Sequence, residues 1–255
     1  MPDAEAHAAP AGGAASEKTP IFRFLAFLLL PFMYVVARYR IHDGDKIPAS
    51  GAFVLTPNHY SEIDPAVIGV VMWKLGRMPR YLAKAGLFKY PVLGWLLRAS
   101  GQVPVERAGT ARGADPLVAA RRILDDGLAV VIYPEGSLTR DPDLWPMRGK
   151  AGAVRMALET GIPLIPAAHW GTQLVLPRYG KRISLFPRKT IHIKIGDPVD
   201  LSSFRGKPLD AATTTAATAA VMDAITKLLE DLRGEQAPVE RWNPGKNNQK
   251  ETGRF

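Results

Sequence analysis

A histidine and an aspartate five residues apart are the residues of this chain best suited to chemistry. His59 and Asp64 follow an apolar segment of strand length, 52–55, and a helical pattern comes after them. A loop histidine can act as a general base near neutral pH, and an aspartate on its other ring nitrogen would orient the ring. Because side chains five apart on one helix point in different directions, the pair meets only if His59 is on the loop and Asp64 in the first helical turn.

The same residues also have a purely structural interpretation. Pro65 is typical of the first turn of a helix, and the aspartate before it is an ordinary N-cap. Ser61 and Asp64 also have the spacing of a capping box. The spacing by itself therefore leaves both interpretations open, and residues elsewhere in the chain have to decide between them.

Composition narrows the classes of partner. The chain has 255 residues, 47% hydrophobic and 22% charged, which is typical of one globular domain with some tail. The absence of cysteine excludes disulfides, thiolate metal sites and a cysteine nucleophile. A formal charge of +9 indicates anionic partners, such as a phosphorylated substrate or an anionic membrane surface. Because the basic residues are scattered through apolar stretches and no nucleic-acid motif is present, we predict no nucleic-acid partner.

The N-terminal region divides into a tail and an apolar segment. Residues 1–17 are rich in Ala, Gly and Pro and are predicted to be a disordered tail. Residues 18–38 are predicted to be a membrane-associating helical segment, flanked by basic residues. Its uncharged part, 24–37, has 14 residues, whereas about 20 are needed to cross a bilayer. We therefore predict monotopic or peripheral attachment to the cytoplasmic face of the cell membrane, with a buried core helix as the alternative.

Strand-like and helix-like segments alternate over residues 39–233, which we predict to be the catalytic domain. This pattern predicts an α/β fold with a mostly parallel or mixed central sheet flanked by helices. Residues 115–126 are predicted to form an amphipathic helix, and residues 234–255 a polar, loose C-terminal tail. The stretch 80–98, apolar with aromatic and basic residues, fits either the core or a second membrane-facing surface.

The α/β prediction places the polar segments of interest at one edge of the sheet. His59, Arg107 and the loop 135–140 each follow a strand-like segment. Ligands of open α/β sheets bind beyond the carboxyl ends of the strands. One crevice could therefore collect all three.

Four motifs in order then suggest a family. They are Asn58-His59-x4-Asp64; Gly101-x-Val103-x-Val105-x-Arg107; Tyr133-Pro134-Glu135-Gly136-Ser137; and Ile162-Pro163-Leu164-Ile165-Pro166. Over residues 40–205 the chain resembles the glycerolipid acyltransferases, and specifically the 1-acylglycerol-3-phosphate (lysophosphatidate) acyltransferases. Any one motif would be weak, but the ordered set favours the catalytic interpretation of His59.

The resemblance implies a reaction and its substrates. A fatty acyl group would move from an acyl thioester to the sn-2 hydroxyl of 1-acylglycerol-3-phosphate, giving phosphatidate. His59 would be the general base and Asp64 would orient it. The implied partners are the lysophospholipid and the acyl donor, which is acyl-CoA or an acyl carrier protein. The chain shows no metal-ligand spacing, so no metal or further cofactor is predicted.

The resemblance also implies that the second and third motifs hold the glycerol phosphate, because arginine pairs well with phosphate oxygens. The predicted phosphate-binding residues are Arg107, Glu135, Gly136, Ser137, Arg140 and Lys150. The family's third motif usually reads Glu-Gly-Thr-Arg-Ser, whereas here the arginine, Arg140, comes two positions later. Arg148 or Lys150 could substitute for it. An ionised Glu135 would repel a phosphate, so we expect it to orient an arginine or to accept from a glycerol hydroxyl.

Two other functions are consistent with part of the sequence pattern. The acceptor could instead be glycerol-3-phosphate or another lysolipid. From another class, the protein could be a non-catalytic peripheral protein that binds anionic lipid, although such a protein has no use for His59 and Asp64. His169 and His192 lie in strand-like segments and are predicted to be core or surface residues and not ligands.

Overall fold

A central sheet organises the protein, which we describe from a computed structural model over residues 17–105, 121 and 125–250. Arg107 and most of the predicted helix 115–126 lie outside these residues. The strands in the described part are β1 (Ala37–His42), β2 (Phe53–Pro57), β3 (Pro79–Lys84), β4 (Val103–Val105), β5 (Ala129–Val131), β6 (Leu164–Trp170) and β7 (Lys189–Ile195).

The strand order is β1-β7-β6-β2-β5-β3-β4. Neighbouring strands are parallel except for β6 and β7, which are antiparallel, so the prediction of a mixed α/β sheet is confirmed. β2 lies between β5 and β6, with Leu55 opposite Val131 on one side and Ile165 on the other. Because all three strands run in the same direction, their carboxyl ends meet at one edge of the sheet.

Helices cover both faces of the sheet. Those in the described part are α1 (Pro20–Val36), α2 (Asp64–Lys74), α3 (Pro91–Ala99), α4 (Gly152–Thr160), α5 (Thr172–Val175) and α6 (Ala211–Arg233). Short 3-10 helices occur at Gly44–Lys46, Ala85–Lys89, Ser202–Phe204 and Pro244–Asn247.

The core has one layer on each side of the sheet, because successive strand residues point to opposite faces. Phe53 and Leu55 of β2 pack with α1 and α2, whereas Val54 between them packs with α4 and α6. Each fully buried aliphatic side chain contributes roughly 1.5–3 kcal/mol relative to exposure. The two layers hold the sheet rigid, and the loops at its carboxyl edge are therefore built on fixed strand ends.

The long helix α6 has clear start and stop signals. The Asp210 side chain accepts a hydrogen bond from the Thr213 N–H at 2.7 Å, and Gly234 ends the helix in a left-handed conformation with φ 66°. The chain then turns back, and the Arg148 N–H donates to the carbonyl of Trp242 at 2.9 Å. The described part of the C-terminal tail thus lies against the loop that precedes α4.

Helix α1 is only partly incorporated into the core. Phe22, Met33 and Val36 are buried, whereas Phe27 is 80% exposed and Leu28 66% exposed. Among the described residues, no helix combines the length and the apolar character needed to cross a membrane. One side of this segment therefore belongs to the core, and the other is an exposed apolar surface. Membrane attachment through that surface stays a prediction.

Candidate active site

His59 and Asp64 meet as a hydrogen-bonded pair at the carboxyl edge of the sheet. His59 lies two residues beyond the end of β2, and Asp64 is the first residue of α2. The loop between them brings His59 Nδ1 to 2.9 Å from Asp64 Oδ2. The Asp64 side chain is fully buried, whereas the His59 side chain is 17% exposed. One ring nitrogen is therefore held by the carboxylate, and the ring keeps access to the outside.

The Asp64 carboxylate is held by three further donors. Its Oδ2 accepts the backbone N–H groups of Tyr60 and Ser61, each at 2.8 Å. Its Oδ1 accepts the hydroxyl of Thr172 at 2.7 Å. The Ser61 hydroxyl donates to Leu176 O, so only half of the capping box is present: the carboxylate accepts the Ser61 N–H, with no hydroxyl bond in return. The carboxylate thus organises the helix start and holds the histidine at the same time.

These donors also control the charge of Asp64. Burial by itself would raise the pKa of this carboxyl, but the nearby His169 ring and the hydrogen bonds from His59 and Thr172 lower the pKa on balance. Burial lowers the pKa of His169, whose Nε2 lies 3.8 Å from Asp64 Oδ2 and 2.9 Å from Asn58 O. Asp64 is therefore ionised at neutral pH and can stabilise a protonated His59.

His169 of β6, Tyr133 after β5 and Asn58 after β2 complete the environment of the pair. Asn58 and Tyr133 belong to the motifs and His169 was predicted to be a core or surface residue, but none of the three had a predicted contact with the pair. Asn58 exchanges hydrogen bonds with the His169 backbone, with its Oδ1 accepting the N–H at 2.9 Å. The Tyr133 ring stacks on the His59 ring, with centroids 4.1 Å apart. Tyr133 follows a strand-like segment and His169 lies within one, and these positions were the available signal. Their contact with the pair depends on the sheet order.

Glu135 links the two loops that follow β2 and β5. It is completely buried and accepts the His59 N–H at Oε1, at 2.9 Å, and the Met147 N–H at Oε2, at 3.0 Å. Burial raises the pKa of Glu135 to about 8, although these hydrogen bonds oppose the change. The Glu135 carboxyl group is therefore mostly protonated and neutral at pH 7, so it does not repel a nearby phosphate as an ionised carboxylate would.

The structure brings four of the predicted residues to one cavity. His59, Gly136, Ser137 and Lys150 all line it, together with Pro134. Gly136 has φ 68°, and a Cβ there would lie 3.0 Å from Cδ of Lys150, so the lysine stem crosses close over the glycine. A larger residue at this position would force the lysine away from the cavity.

Other predicted residues lie elsewhere. Arg140 is only 1% exposed and lines neither this cavity nor the smaller one described below, so the structure does not bring it to the pair. Gly101 forms the turn after α3 with φ 69°. Pro163 directly precedes β6 and Pro166 lies within it, and their carbonyls accept from the N–H groups of Val54 and Gly196 respectively. Arg107 lies outside the described residues, so its role stays a prediction.

The cavity itself is large and mostly apolar. Its volume is about 1290 Å³, and α1, α2, α3 and β3 supply most of its walls. Pockets for small molecules usually measure about 300–1,000 Å³, so this one has room for a long apolar ligand. Most of the lining is aliphatic or aromatic, and its polar residues include His59, Ser137 and Lys150. Among the described residues, no group of three or more His, Asp or Glu side chains could hold a metal ion.

With this geometry in hand, comparison with known proteins decides the family. The sequence profile of the family described as Acyltransferase matches residues 38–170, which is more than half of the chain. The chain belongs to this acyltransferase family. The matched residues include β2, the His59–Asp64 pair and the Glu135 loop, so the resemblance inferred from the four motifs is confirmed.

Individual relatives agree with the family assignment. The chain is 31% identical to a chloroplastic 1-acyl-sn-glycerol-3-phosphate acyltransferase, BAT2, of Brassica napus over 57% of this chain and 41% of that protein. The chain thus spans about two fifths of the length of that relative. It is 27% identical to the 1-acyl-sn-glycerol-3-phosphate acyltransferase of Bacillus subtilis, over 84% of this chain and 98% of that protein.

A solved structure has the same fold. The crystal structure of the 1-acyl-sn-glycerophosphate acyltransferase PlsC from Thermotoga maritima matches with a TM-score of 0.65 and 22% identity. The match covers 87% of this chain and 83% of that one. At this identity the likeness concerns the arrangement of sheet and helices.

Proposed function

We propose that the protein transfers a fatty acyl group from an acyl thioester to the sn-2 hydroxyl of 1-acylglycerol-3-phosphate, with phosphatidate as the product. The observation that carries the proposal is the His59–Asp64 pair at the wall of a large apolar cavity. The two relatives named above have this activity in their names, and family membership supports acyl transfer.

His59 acts as the general base in this proposal. Its Nδ1 is bonded to Asp64, and its Nε2 has no hydrogen-bond partner among the described residues. Nε2 takes the proton of the acceptor hydroxyl, and Asp64 stabilises the imidazolium that forms. The hydroxyl oxygen attacks the thioester carbonyl, the C–S bond breaks, and the leaving sulfur takes the proton back from His59. The substrate supplies the nucleophile, so no enzyme nucleophile is needed.

The apolar walls of the cavity and its polar residues are proposed to bind different parts of the substrates. The apolar walls take the fatty chains, because burying each CH₂ group stabilises the complex by about 0.8 kcal/mol. Lys150 and Ser137 supply a cation and a hydroxyl to the cavity that His59 also lines, and Arg107 is proposed to bind the acceptor phosphate with them. The donor is acyl-CoA or an acyl carrier protein. Glycerol-3-phosphate or another lysolipid is the alternative acceptor.

The lysophospholipid acceptor of the proposed reaction resides in membranes, and the exposed apolar surfaces of α1 and α3 support attachment there. Phe27 and Leu28 of α1 and Val92 and Trp95 of α3 are all more than half exposed. Both helices also line the apolar cavity. We propose that these surfaces enter the cytoplasmic leaflet as a monotopic or peripheral attachment, so that lipid reaches the cavity directly from the bilayer.

The activity is tested with purified full-length protein, lysophosphatidate and radiolabelled acyl-CoA. We expect wild type to form phosphatidate and His59→Ala to lose activity by roughly 10²–10⁴-fold, the usual contribution of a general base. His192→Ala is the matched control, because this histidine lies on β7 and lines neither cavity.

Two results would refute the proposal. One is a wild-type protein that forms no phosphatidate with either acyl-CoA or acyl carrier protein as donor. The other is a His59→Ala variant as active as the His192→Ala control, which would remove the base from the mechanism.

A further inference from the structure

A second, polar cavity lies on the other side of Glu135 from the His59 loop. Its volume is about 370 Å³. The loop before α4, the first half of α6 and the C-terminal segment around Pro244 form its walls. The side chains that line it include four cations, Arg148, Lys150, Arg241 and Lys246, together with the hydroxyls of Thr214, Thr215 and Thr218.

Two of the four cations are available for a ligand. Arg241 is paired with Asp223, and Lys246 with Glu240 at 2.6 Å. In contrast, the side chains of Arg148 and Lys150 are exposed, and neither has an ion pair or hydrogen bond with any residue in the described part of the chain. The two carboxyl groups in the lining do not offset them, because Glu240 is already paired and the burial of Glu135 raises its pKa to about 8.

Close backbone packing holds Arg148 and Lys150 at this cavity. Gly149, between them, lies against α6, where an added Cβ would be only 2.8 Å from Met222 Cγ. The Arg148 N–H donates to Trp242 O, and the Lys150 N–H donates to Pro134 O at 2.7 Å. The segment that carries the two cations is therefore fixed by backbone hydrogen bonds to the C-terminal segment on one side and to the loop after β5 on the other. The C-terminal segment also forms part of the cavity wall.

The polar cavity is one side chain away from the proposed catalytic base. Glu135 lines it and also accepts the backbone N–H of His59 at 2.9 Å. Lys150 lines both the polar and the apolar cavity. Lys150 is therefore shared by the two cavities, and Glu135 joins the polar one to the loop that carries His59.

We infer that this polar cavity is a phosphate-ester binding site in which Arg148 and Lys150 hold the anionic group. A planar arginine and a lysine at one cavity suit phosphate oxygens. The Thr215 hydroxyl adds a neutral donor, whereas the hydroxyls of Thr214 and Thr218 already donate to backbone carbonyls. The inference rests on the proposed function in one respect: both substrates of that reaction carry phosphate. The ester could belong to the pantetheine or nucleotide part of the donor, or to the glycerol phosphate of the acceptor.

Binding measurements on the full-length protein in detergent test the site without using catalysis. The two probes are coenzyme A without an acyl group and glycerol 3-phosphate, each titrated by calorimetry. Arg148→Gln should weaken the Kd of at least one probe by roughly tenfold or more, because it removes hydrogen bonds to a charged group. Arg155→Gln is the control: this exposed arginine on α4 lines neither cavity and should change both Kd values less than twofold.

The pattern of losses identifies the source of the phosphate. A loss confined to coenzyme A assigns the cavity to the acyl donor, one confined to glycerol 3-phosphate assigns it to the acceptor, and a loss with both shows a phosphate site that does not discriminate. Lys246→Gln, on the C-terminal wall, should weaken the same probe by a smaller factor, since Lys246 is already paired with Glu240.

The site is overturned if neither probe binds wild type, or if Arg148→Gln and Arg155→Gln give the same Kd values. This failure is separate from that of the proposed function. Normal acyl transfer with unchanged Kd values removes only the phosphate site. A tenfold loss of binding in a protein that transfers no acyl group removes only the proposed reaction.

Discussion

The surroundings of Asp64 and the exposed apolar surface of α1 and α3 differ in how their side chains are held. Asp64 has no exposed surface, and four donors from His59, Tyr60, Ser61 and Thr172 fix its two oxygens. On this exposed surface, Phe27 is 80% exposed and makes no directional contact among the described residues that would fix its place. Proton transfer needs an atom placed to within a fraction of an ångström, whereas apolar contact with lipid depends on area. Single substitutions should therefore have a severe effect on activity at Asp64, whereas on the exposed surface of α1 and α3 the effect on lipid binding should be graded.

The sharpest test of this contrast is Asp64→Asn. The amide keeps the size of the side chain but removes the charge that orients His59 and stabilises its protonated form. We expect kcat for acyl transfer to fall by roughly 10³–10⁴-fold. Asp231→Asn, at an exposed ion pair with Lys194, is the control and should retain near wild-type kcat. A loss smaller than tenfold in Asp64→Asn would mean that the carboxylate serves the start of α2 and not the reaction.

The exposed apolar surface of α1 is tested by a double variant in which both Phe27 and Leu28 are replaced by glutamate. Each side chain should lose about 1.5–3 kcal/mol of burial in the leaflet, so the partition coefficient onto phosphatidylglycerol vesicles should fall roughly 100-fold or more. Vesicle sedimentation measures it. The control, Ala212→Glu with Ala216→Glu, adds the same charge on the exposed side of α6. Equal partition of the two double variants would show that α1 does not contact lipid. Deleting α1 is a poorer test, because it also removes the buried Met33 and Val36.

Thr172 tests how much the secondary contacts of Asp64 matter. Thr172→Val removes the hydroxyl that donates to Oδ1 at 2.7 Å and leaves a buried carboxylate oxygen without that donor. We expect kcat to fall about tenfold with KM unchanged, the effect of losing one hydrogen bond to a charged group. Thr172→Ser restores the hydroxyl and should restore kcat. If serine and valine variants behave alike, the residue acts through packing and does not position Asp64.

Glu135 provides a test of another kind, a dependence of stability on pH. Burial raises its pKa to about 8 from the ordinary 4.5, so the folded protein keeps a proton that the unfolded chain loses between these values. The contribution to the free energy of unfolding therefore falls as pH rises from about 5 to 8, at up to about 1.4 kcal/mol per pH unit.

Glu135→Gln should lose this contribution, so its unfolding free energy should vary less with pH than that of wild type in denaturant titrations at pH 5, 6.5 and 8. Glu62→Gln, at an exposed position near the pair, should keep the wild-type slope. Parallel slopes for wild type and Glu135→Gln would place an ionised carboxylate in the loop at neutral pH.

Much of the fold could be predicted because its signals are local. The alternation of strand-like and helix-like segments over residues 39–233 indicated the α/β sheet, and the apolar segment 52–55 indicated β2, which spans Phe53–Pro57. The order of the strands carries no local signal. It depends on which apolar faces pack together, so the contacts of Thr172 and Tyr133 with the pair could not be deduced from their neighbours in sequence.

For the site, the outcome depended on how far apart the residues are in the chain. The motif spacing indicated the His59–Asp64 contact because only a short loop separates the two residues. Arg140 has the residue type expected for phosphate, yet the structure buries it outside both cavities. Arg148 was considered only as its substitute, and nothing in the sequence indicated that the C-terminal segment would form the cavity beside it.

The sequence by itself determined the residues proposed to carry the chemistry: a histidine, a carboxylate five residues after it, and apolar segments of strand and helix length. Tertiary structure alone decided that β5 and β6 flank β2, that Thr172 completes the carboxylate's contacts, and that Glu135 is buried enough to stay protonated. The reason is physical. Local preferences act over a few residues, whereas burial and hydrogen bonding across the sheet depend on segments more than 70 residues apart that pack as one body.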